Sequence, residues 1–280
     1  MKNEEPLATD SMIDTLRDRP SALIFDLDGT LLDTEPLYTI ASQRVLDPYD
    51  QVFSPELKKR CIGRDSRQSA QITIDHASLP LSVDEYLAER EVYLLSLFEN
   101  PPEIPFAEHF LTAAYQADIP LGLATSSHQH VCSLKLSQKA WASHFDKIIC
   151  GDHPLLRRGK PEPDIFLLCA SEINADPRQC IAFEDSPAGI QAATSAGMKV
   201  VAINSPYVDA EDLSAAEFII DGYDELNALL KTWQPNPWTY LRQLWAFGAV
   251  TIAERLMRSE LLTRSGLFIP LRAVNTLRAV

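Results

Sequence analysis

The sequence predicts an α/β fold: a doubly wound, Rossmann-like parallel sheet core with a small all-helical cap domain inserted near its start. Three observations predict it. Residues 21–28 form a short apolar run that ends in two carboxylates, the pattern of a buried parallel strand whose C-terminal end carries function. Residues 34–104 carry apolar side chains near helical spacing and contain no convincing strand. From residue 105 onward, strands alternate with helices, as a doubly wound sheet requires.

Taken in order, residues 1–20 read as a polar leader, frayed at its start. The core is assigned to residues 21–33 and 105–232, the helical cap to 34–104 and a C-terminal extension to 233–280. In the cap, Leu37, Ile40, Ala41, Arg44 and Val45 fit one helix; Ile72, Ile74, Ala77 and Leu79 fit a second more loosely. A third carries Tyr86, Leu87, Val92, Tyr93, Leu95 and Phe98, with Ser82 as N-cap and Glu85 completing a capping box. Asn100-Pro101-Pro102 closes the insertion. In the core, strands are expected at 120–126, 147–151, 180–185, 198–204 and 217–221. Helices are expected at 129–140, 163–174, 187–196 and 224–231. Ligands in such sheets sit beyond the carboxyl ends of the strands, so the polar residues there are the candidates for function.

Composition narrows the class. The 280 residues are 46% hydrophobic and 23% charged, the balance of a folded globular chain. Nineteen prolines against ten glycines imply many defined turns. A net charge of −14 argues against general nucleic-acid binding, which needs basic patches. An acidic enzyme can still take an anionic substrate if a metal ion and a Lys or Arg supply local positive charge. The five cysteines, Cys61, Cys132, Cys150, Cys169 and Cys180, are widely spaced and contain no C-x-x-C, which argues against a zinc site or a disulfide framework. The start of the chain has no apolar segment of the kind that marks a secretory signal, and no apolar run is long enough to span a bilayer. The expected location is the reducing cytoplasm.

Four strand ends carry candidate chemistry. Asp26-Leu27-Asp28-Gly29-Thr30 puts two carboxylates at i and i+2 before a glycine turn; one can attack while the other handles protons. A solvated acidic turn has the same composition. Thr125-Ser126-Ser127 offers a hydroxyl and backbone N–H groups to a phosphate oxygen, or simply a helix N-cap. Gly159-Lys160-Pro161-Glu162-Pro163 holds a lysine in a proline-stiffened loop, as a phosphate counter-charge or a solvated surface cation. Glu184-Asp185-Ser186-Pro187 ends an apolar strand in acids that suit a hard cation with oxygen ligands, or that cap the following helix. Each motif alone is ambiguous. Their succession at the ends of consecutive strands points to phosphoryl transfer.

With these four motifs in that order, residues 20–232 resemble the haloacid-dehalogenase superfamily, in its branch with a helical cap after the first strand. Asp33-Thr34-Glu35-Pro36-Leu37-Tyr38 and residues 159–166 and 183–198 are similar to pseudouridine-5'-phosphatase and related sugar-phosphate phosphatases, and more distantly to beta-phosphoglucomutase. The resemblance implies a Mg2+-dependent phosphatase acting on a small phosphorylated metabolite, a sugar phosphate or a nucleoside-type monophosphate such as pseudouridine 5'-phosphate. Asp26 would be the nucleophile that forms an aspartyl-phosphate, and Asp28 the general acid and base. Thr125, Ser126 and Lys160 would hold the phosphoryl group. Asp26, Asp185 and the Asp28 carbonyl would bind magnesium, with Glu184 a ligand or the support of one.

The resemblance also implies choices between relatives. A dehalogenase needs neither the second acid nor the Glu184-Asp185 pair. A mutase carries a His where this chain has Tyr38, so a phosphomutase is the alternative to hydrolysis. In the cap, Arg64 follows Ile62-Gly63 at the substrate-facing loop and would clamp a leaving group, or pair on the surface with Asp65. Relatives turn back from cap to core through Pro-Gly; here Pro105-Phe106-Ala107 lacks the glycine. The cap would hinge near Asp33-Thr34 and residues 101–105.

Residues 233–280 have no counterpart in the family. They hold six arginines against two glutamates, a net of +4 that leaves −18 for the rest of the chain. Leu241, Leu244, Trp245, Gly248, Ile252 and Leu256 follow helical spacing, so the extension would pack on the acidic core, dock on a partner or lie on a membrane surface. A non-enzymatic protein that binds a partner through this extension is the further alternative.

Overall fold

The computed structural model describes residues 8–61 and 66–233. Its elements run α1 (Ala8–Thr15), β1 (Ala22–Phe25), α2 (Glu35–Leu46), α3 (Pro55–Cys61), α4 (Ser66–Ala77), α5 (Val83–Leu97), α6 (Ala107–Gln116), β2 (Leu121–Ala124), α7 (Gln129–Leu136), β3 (Lys147–Ile149), α8 (Asp164–Glu172), β4 (Cys180–Glu184), α9 (Pro187–Ser195), β5 (Lys199–Ile203), β6 (Phe218–Ile220) and α10 (Asn227–Thr232). The six strands form one parallel sheet in the order β3-β2-β1-β4-β5-β6. The chain moves outward to one side from β1 through β2 and β3, then returns to β4 on the other side. The order therefore reverses between β1 and β4, the position where doubly wound sheets bind ligands.

Two hydrophobic layers cover the sheet. On one face Phe25 stacks on Phe183 with ring centroids 4.6 Å apart, and Phe110 and Tyr223 close the cluster. On the other, Ile24, Ala182 and Val200 meet Phe166 and Cys169 of α8 and Ile190 of α9. Residues of β1 alternate between the layers, which explains why the strand reads as a continuous apolar run. Helices α2 to α5 build a core of their own, with Val45, Leu46, Ala70, Ile74 and Tyr86 at its centre. The capping box at α5 is present: Ser82 Oγ accepts from the Glu85 N–H at 3.3 Å, and the Glu85 carboxylate accepts from the Ser82 N–H at 2.8 Å. The two linkers to this helical unit run side by side. Asp33 N–H donates to Pro102 O and Ile104 N–H to Leu31 O, each at 2.9 Å.

Two ends of the expected core move. The polar leader is more than a leader, because Met12 and Leu16 are buried in the main cluster. Trp233, assigned by sequence to the extension, is fully buried; its indole N–H donates to Leu16 O at 2.8 Å, and Arg19 donates to Trp233 O. An apolar ring with a polar edge fits a core whose neighbour offers a carbonyl, so the core includes Trp233. The remainder of the extension, residues 234–280, lies outside the described residues. Helix α3, which the apolar spacing did not mark, buries only Leu57. Where relatives turn back through Pro-Gly, Phe106 takes the left-handed conformation, with φ 64°. The residue is 57% exposed, so little packing offsets the backbone cost.

A left-handed L-residue costs about 1–2 kcal/mol, part of which a glycine returns through its greater freedom when unfolded. Phe106→Gly is therefore expected to stabilise the protein by roughly 0.5–1 kcal/mol. Urea denaturation checks this, and a lower midpoint in the variant would contradict it.

Candidate active site

The site is built where β1 and β4 end. Register pairs Phe25 with Phe183, so the next residues, Asp26 and Glu184, emerge side by side; the Asp26 N–H donates to Phe183 O at 3.0 Å. Lys160 reaches between them from the β3–α8 loop, where its peptide bond to Pro161 is cis. Its Nζ lies 2.5 Å from Asp26 Oδ1 and 2.6 Å from Glu184 Oε1, and its side chain is 6% exposed. The solvated-surface reading of Lys160 is thereby excluded.

Glu184 is fully buried and fully engaged. One oxygen accepts from Lys160; the other accepts from the N–H groups of Asp185 and Ser186 and from the Ser186 hydroxyl, at 2.9–3.0 Å. Helix α9 begins here. Ser186 caps it through Gly189 N–H, and Gly189 is needed because a Cβ there would lie 1.7 Å from Glu184 Oε1. Asp185 points the other way. It accepts from Thr30 Oγ1 at 3.0 Å and sits against Gly29, where a Cβ would fall 2.0 Å from Asp185 Oδ2. Gly29 also has φ 84°, so the turn after β1 requires glycine on two counts.

The second acid of the pair, Asp28, turns toward α7. Its Oδ1 accepts from Lys135 Nζ at 2.6 Å and its Oδ2 from Ser127 Oγ at 2.8 Å. Thr125, at the end of β2, is buried; its hydroxyl oxygen accepts from the Ser127 N–H at 3.1 Å. Ser126 is exposed at the cavity wall.

A cavity of about 730 Å³ opens above these residues, between the sheet end and the four-helix unit. Asp28, Gly29, Ser126, Ser127 and Asp185 line its core side; Tyr38, Phe53, Lys58, Arg90 and Phe98 line the helical side. Asp26, Lys160 and Thr125 are not in the lining and lie one layer deeper. Arg90 stands over the rings of Tyr38 and Tyr86, and its Nε is buried with no hydrogen-bond partner. Lys58 lies over the Tyr207 ring at 3.8 Å and pairs with Glu35 at 3.6 Å. Arg64, the cap residue expected from sequence, lies outside the described residues. Lys135, Lys58, Arg90, His128 and His130 were missed by motif reading, although His128 directly follows Thr125-Ser126-Ser127.

Charge is out of balance here. Burial pushes the Asp26 carboxyl up to about 7, with Lys160 opposing and Glu184 and Asp28 adding to the rise. Burial and the charges of Glu184 and Asp26 hold Asp185 well above the usual carboxylate range. Burial alone would lower Lys160, but Asp26 and Glu184 outweigh it and hold the ammonium above its ordinary value. One lysine thus serves two carboxylates, and no basic side chain contacts Asp185 among the described residues. No cluster of three His, Cys, Asp or Glu side chains gathers as a metal cage among them either. Two adjacent carboxylates short of positive charge still fit a magnesium ion, which keeps most of its waters and takes one or two protein carboxylates.

A doubly wound parallel sheet that gathers buried acids and a lysine at its switch point is the setting of an α/β hydrolase site. Residues 23–203 match the family described as haloacid dehalogenase-like hydrolase, and the chain belongs to it. It is 37% identical over 201 residues to a Drosophila melanogaster protein named probable pseudouridine-5'-phosphatase, covering 70% of this chain and 87% of the relative. It is 32% identical over 237 residues to the mitochondrial (DL)-glycerol-3-phosphatase 1 of Arabidopsis thaliana, covering 82% and 77%. A solved Thermotoga maritima structure, described provisionally as a beta-phosphoglucomutase, superposes with a TM-score of 0.67 at 30% identity, covering 75% of this chain and 98% of that one.

The raised Asp26 sets a pH dependence for the metal-free protein. The native state keeps this proton up to about pH 7, while the unfolded chain loses it near 3.8. The native state binds more protons in that window, so stability falls as pH rises through it. Urea midpoints without divalent ions are expected to drop between about pH 4 and pH 7, and Asp26→Asn to flatten the drop. An equal drop in the variant would place the effect elsewhere.

Proposed function

We propose that this chain hydrolyses small phosphate monoesters, sugar phosphates or nucleoside-type monophosphates, through an aspartyl-phosphate on Asp26. The observation that carries this is the division of labour within Asp26-x-Asp28. Asp26 is buried against Lys160, while Asp28 lines the cavity where a leaving group would sit.

Asp26 attacks phosphorus, and the bond to the ester oxygen breaks as Asp28 gives that oxygen a proton. Asp28 then takes a proton from water as the water attacks phosphorus, which frees phosphate and restores the Asp26 carboxylate. Lys160 offsets charge between Asp26 and the phosphoryl group, and Thr125 with the Ser126 N–H holds its oxygens. Asp26, Asp185 and the Asp28 carbonyl are the residues that would hold Mg2+; when bound, the ion neutralises charge on the phosphoryl oxygens. Glu184 fits better as the residue that orients Lys160 and the Asp185 main chain than as a ligand, since both its oxygens are occupied.

Relatives named for phosphatases support hydrolysis. Against a mutase stands Tyr38, which lines the cavity and whose phenol burial and the Asp28 charge push above its ordinary value. It stays protonated near neutral pH and cannot cycle a proton as the mutase His would. Lys58 and Arg90 supply the cavity's positive charge toward a hydroxyl-rich or anionic leaving group. Five unpaired cysteines suit a reducing compartment such as the cytoplasm, and among the described residues no helix is long and apolar enough to cross a membrane.

A phosphate-release screen over sugar phosphates and nucleotides tests the proposal. Activity is expected with magnesium, to vanish with chelator, and to fall by on the order of 10⁴-fold or more in Asp26→Asn. Phosphate release that survives this substitution rejects the reading. Independently of activity, magnesium at about 100 times its Kd is expected to stabilise the native protein by about 2.7 kcal/mol. The shift in thermal midpoint should be lost in Asp185→Asn; an unchanged shift would put the ion elsewhere.

A further inference from the structure

Lys135 is a lysine with a 1% exposed side chain, two turns into α7, and no step above uses it. Helical side chains lean toward the N-terminus of their helix, so Lys135 reaches back over the ends of β1 and β2. There its Nζ lies 2.6 Å from Asp28 Oδ1, 3.0 Å from Ser127 Oγ and 4.3 Å from the centre of the Phe98 ring. Ser127 Oγ donates in turn to Asp28 Oδ2. Each oxygen of the Asp28 carboxylate is thus fixed by a different donor, and the two donors touch each other. The two acids of the motif have separate cations: Lys160 holds Asp26, and Lys135 holds Asp28.

An apolar side chain would anchor α7 at least as cheaply as a buried ammonium. The consequence of a lysine here therefore lies with the acid it faces. We infer that Lys135, together with Ser127, is a positioning residue for the general acid. It fixes the direction of the Asp28 carboxylate at the cavity wall and keeps it apart from the Asp26–Asp185 pair. Phe98, at the C-terminal end of α5, covers the ammonium from the cap side, while the Asp28 carboxylate stays open to the cavity.

The inference rests on the phosphatase reading, and leaving-group chemistry separates the two. An alkyl phosphate needs a proton on its departing oxygen; p-nitrophenyl phosphate does not. kcat/KM reports only steps up to departure of that group. In Lys135→Met, kcat/KM for glycerol 3-phosphate or a sugar phosphate is expected to fall about 10²-fold or more, and for p-nitrophenyl phosphate by less than about fivefold. The aryl ester should then show a burst of p-nitrophenol, because hydrolysis of the aspartyl-phosphate also depends on Asp28. A purely structural role would lower both substrates equally, and that result overturns the inference while leaving the nucleophile untouched. Should Lys135→Met not fold, Ser127→Ala decides: the same bias toward the aryl ester supports the inference, and equal losses overturn it. Activity that persists in Asp26→Asn would instead remove the reading beneath it.

Discussion

The structure depends on one buried ammonium shared by two carboxylates. Lys160 sits between Asp26 and Glu184 at the ends of the two central strands, with a side chain 6% exposed. Remove that charge and the parallel pairing of β1 with β4 would set two buried carboxylates side by side. Each would have to be protonated or solvated, both of which work against a close-packed sheet end. The rest of the site follows from this constraint. Glu184 is fixed by Lys160 and by the first N–H groups around α9, so the next residue, Asp185, is turned toward Gly29. Gly29 lacks the side chain that would collide with it, so Asp185 can lie beside Asp26. The result is a pair of acids with too little positive charge of their own, a setting that suits a cation.

Much of this was legible in the sequence because the fold places chemistry at strand ends. Apolar runs ending in Asp26, Thr125 and Glu184 marked β1, β2 and β4, and the strand–helix alternation gave the sheet its class. The structure brings Asp26, Asp28, Lys160, Glu184 and Asp185 into one region, with Thr125 and Ser126 beside them. The expected strands run one to three residues long at their ends, since a polar residue that closes a strand looks like part of it until the hydrogen bonds are seen. Ser82 and Glu85 were readable because a capping box is a local device.

What sequence could not show is what depends on contacts between distant segments. Lys135 looks like a surface lysine on an amphipathic helix; only the approach of α7 to the β1 turn makes it the partner of Asp28, 107 positions away. Trp233 lies 217 positions from the carbonyl it donates to, so nothing local marked it as core. Phe106 occupies a left-handed position that favours glycine, and the missing glycine was visible while the conformation was not. Glu184 could be a ligand or a support on composition alone; only the structure shows that four hydrogen bonds occupy both of its oxygens.

Helix α7 is where the two halves of the molecule meet. Val131 and Leu134 pack against Leu37, Ala41, Leu94 and Phe98 of the helical unit. Lys139, just past its end, donates to Pro101 O at 2.7 Å and Asn100 Oδ1 at 3.0 Å and pairs with Glu103, so it grips the linker by which the chain returns to the core. Lys135, one turn earlier, holds the acid. The same short helix therefore contacts the helical unit over the cavity and the Asp28 carboxylate inside it. A change in how the unit seats on α7 cannot leave Asp28 unaffected, because Phe98 belongs to that seat and to the cover over Lys135. If Asp28 is the acid we propose, substrate enclosure and acid alignment are coupled through this one helix.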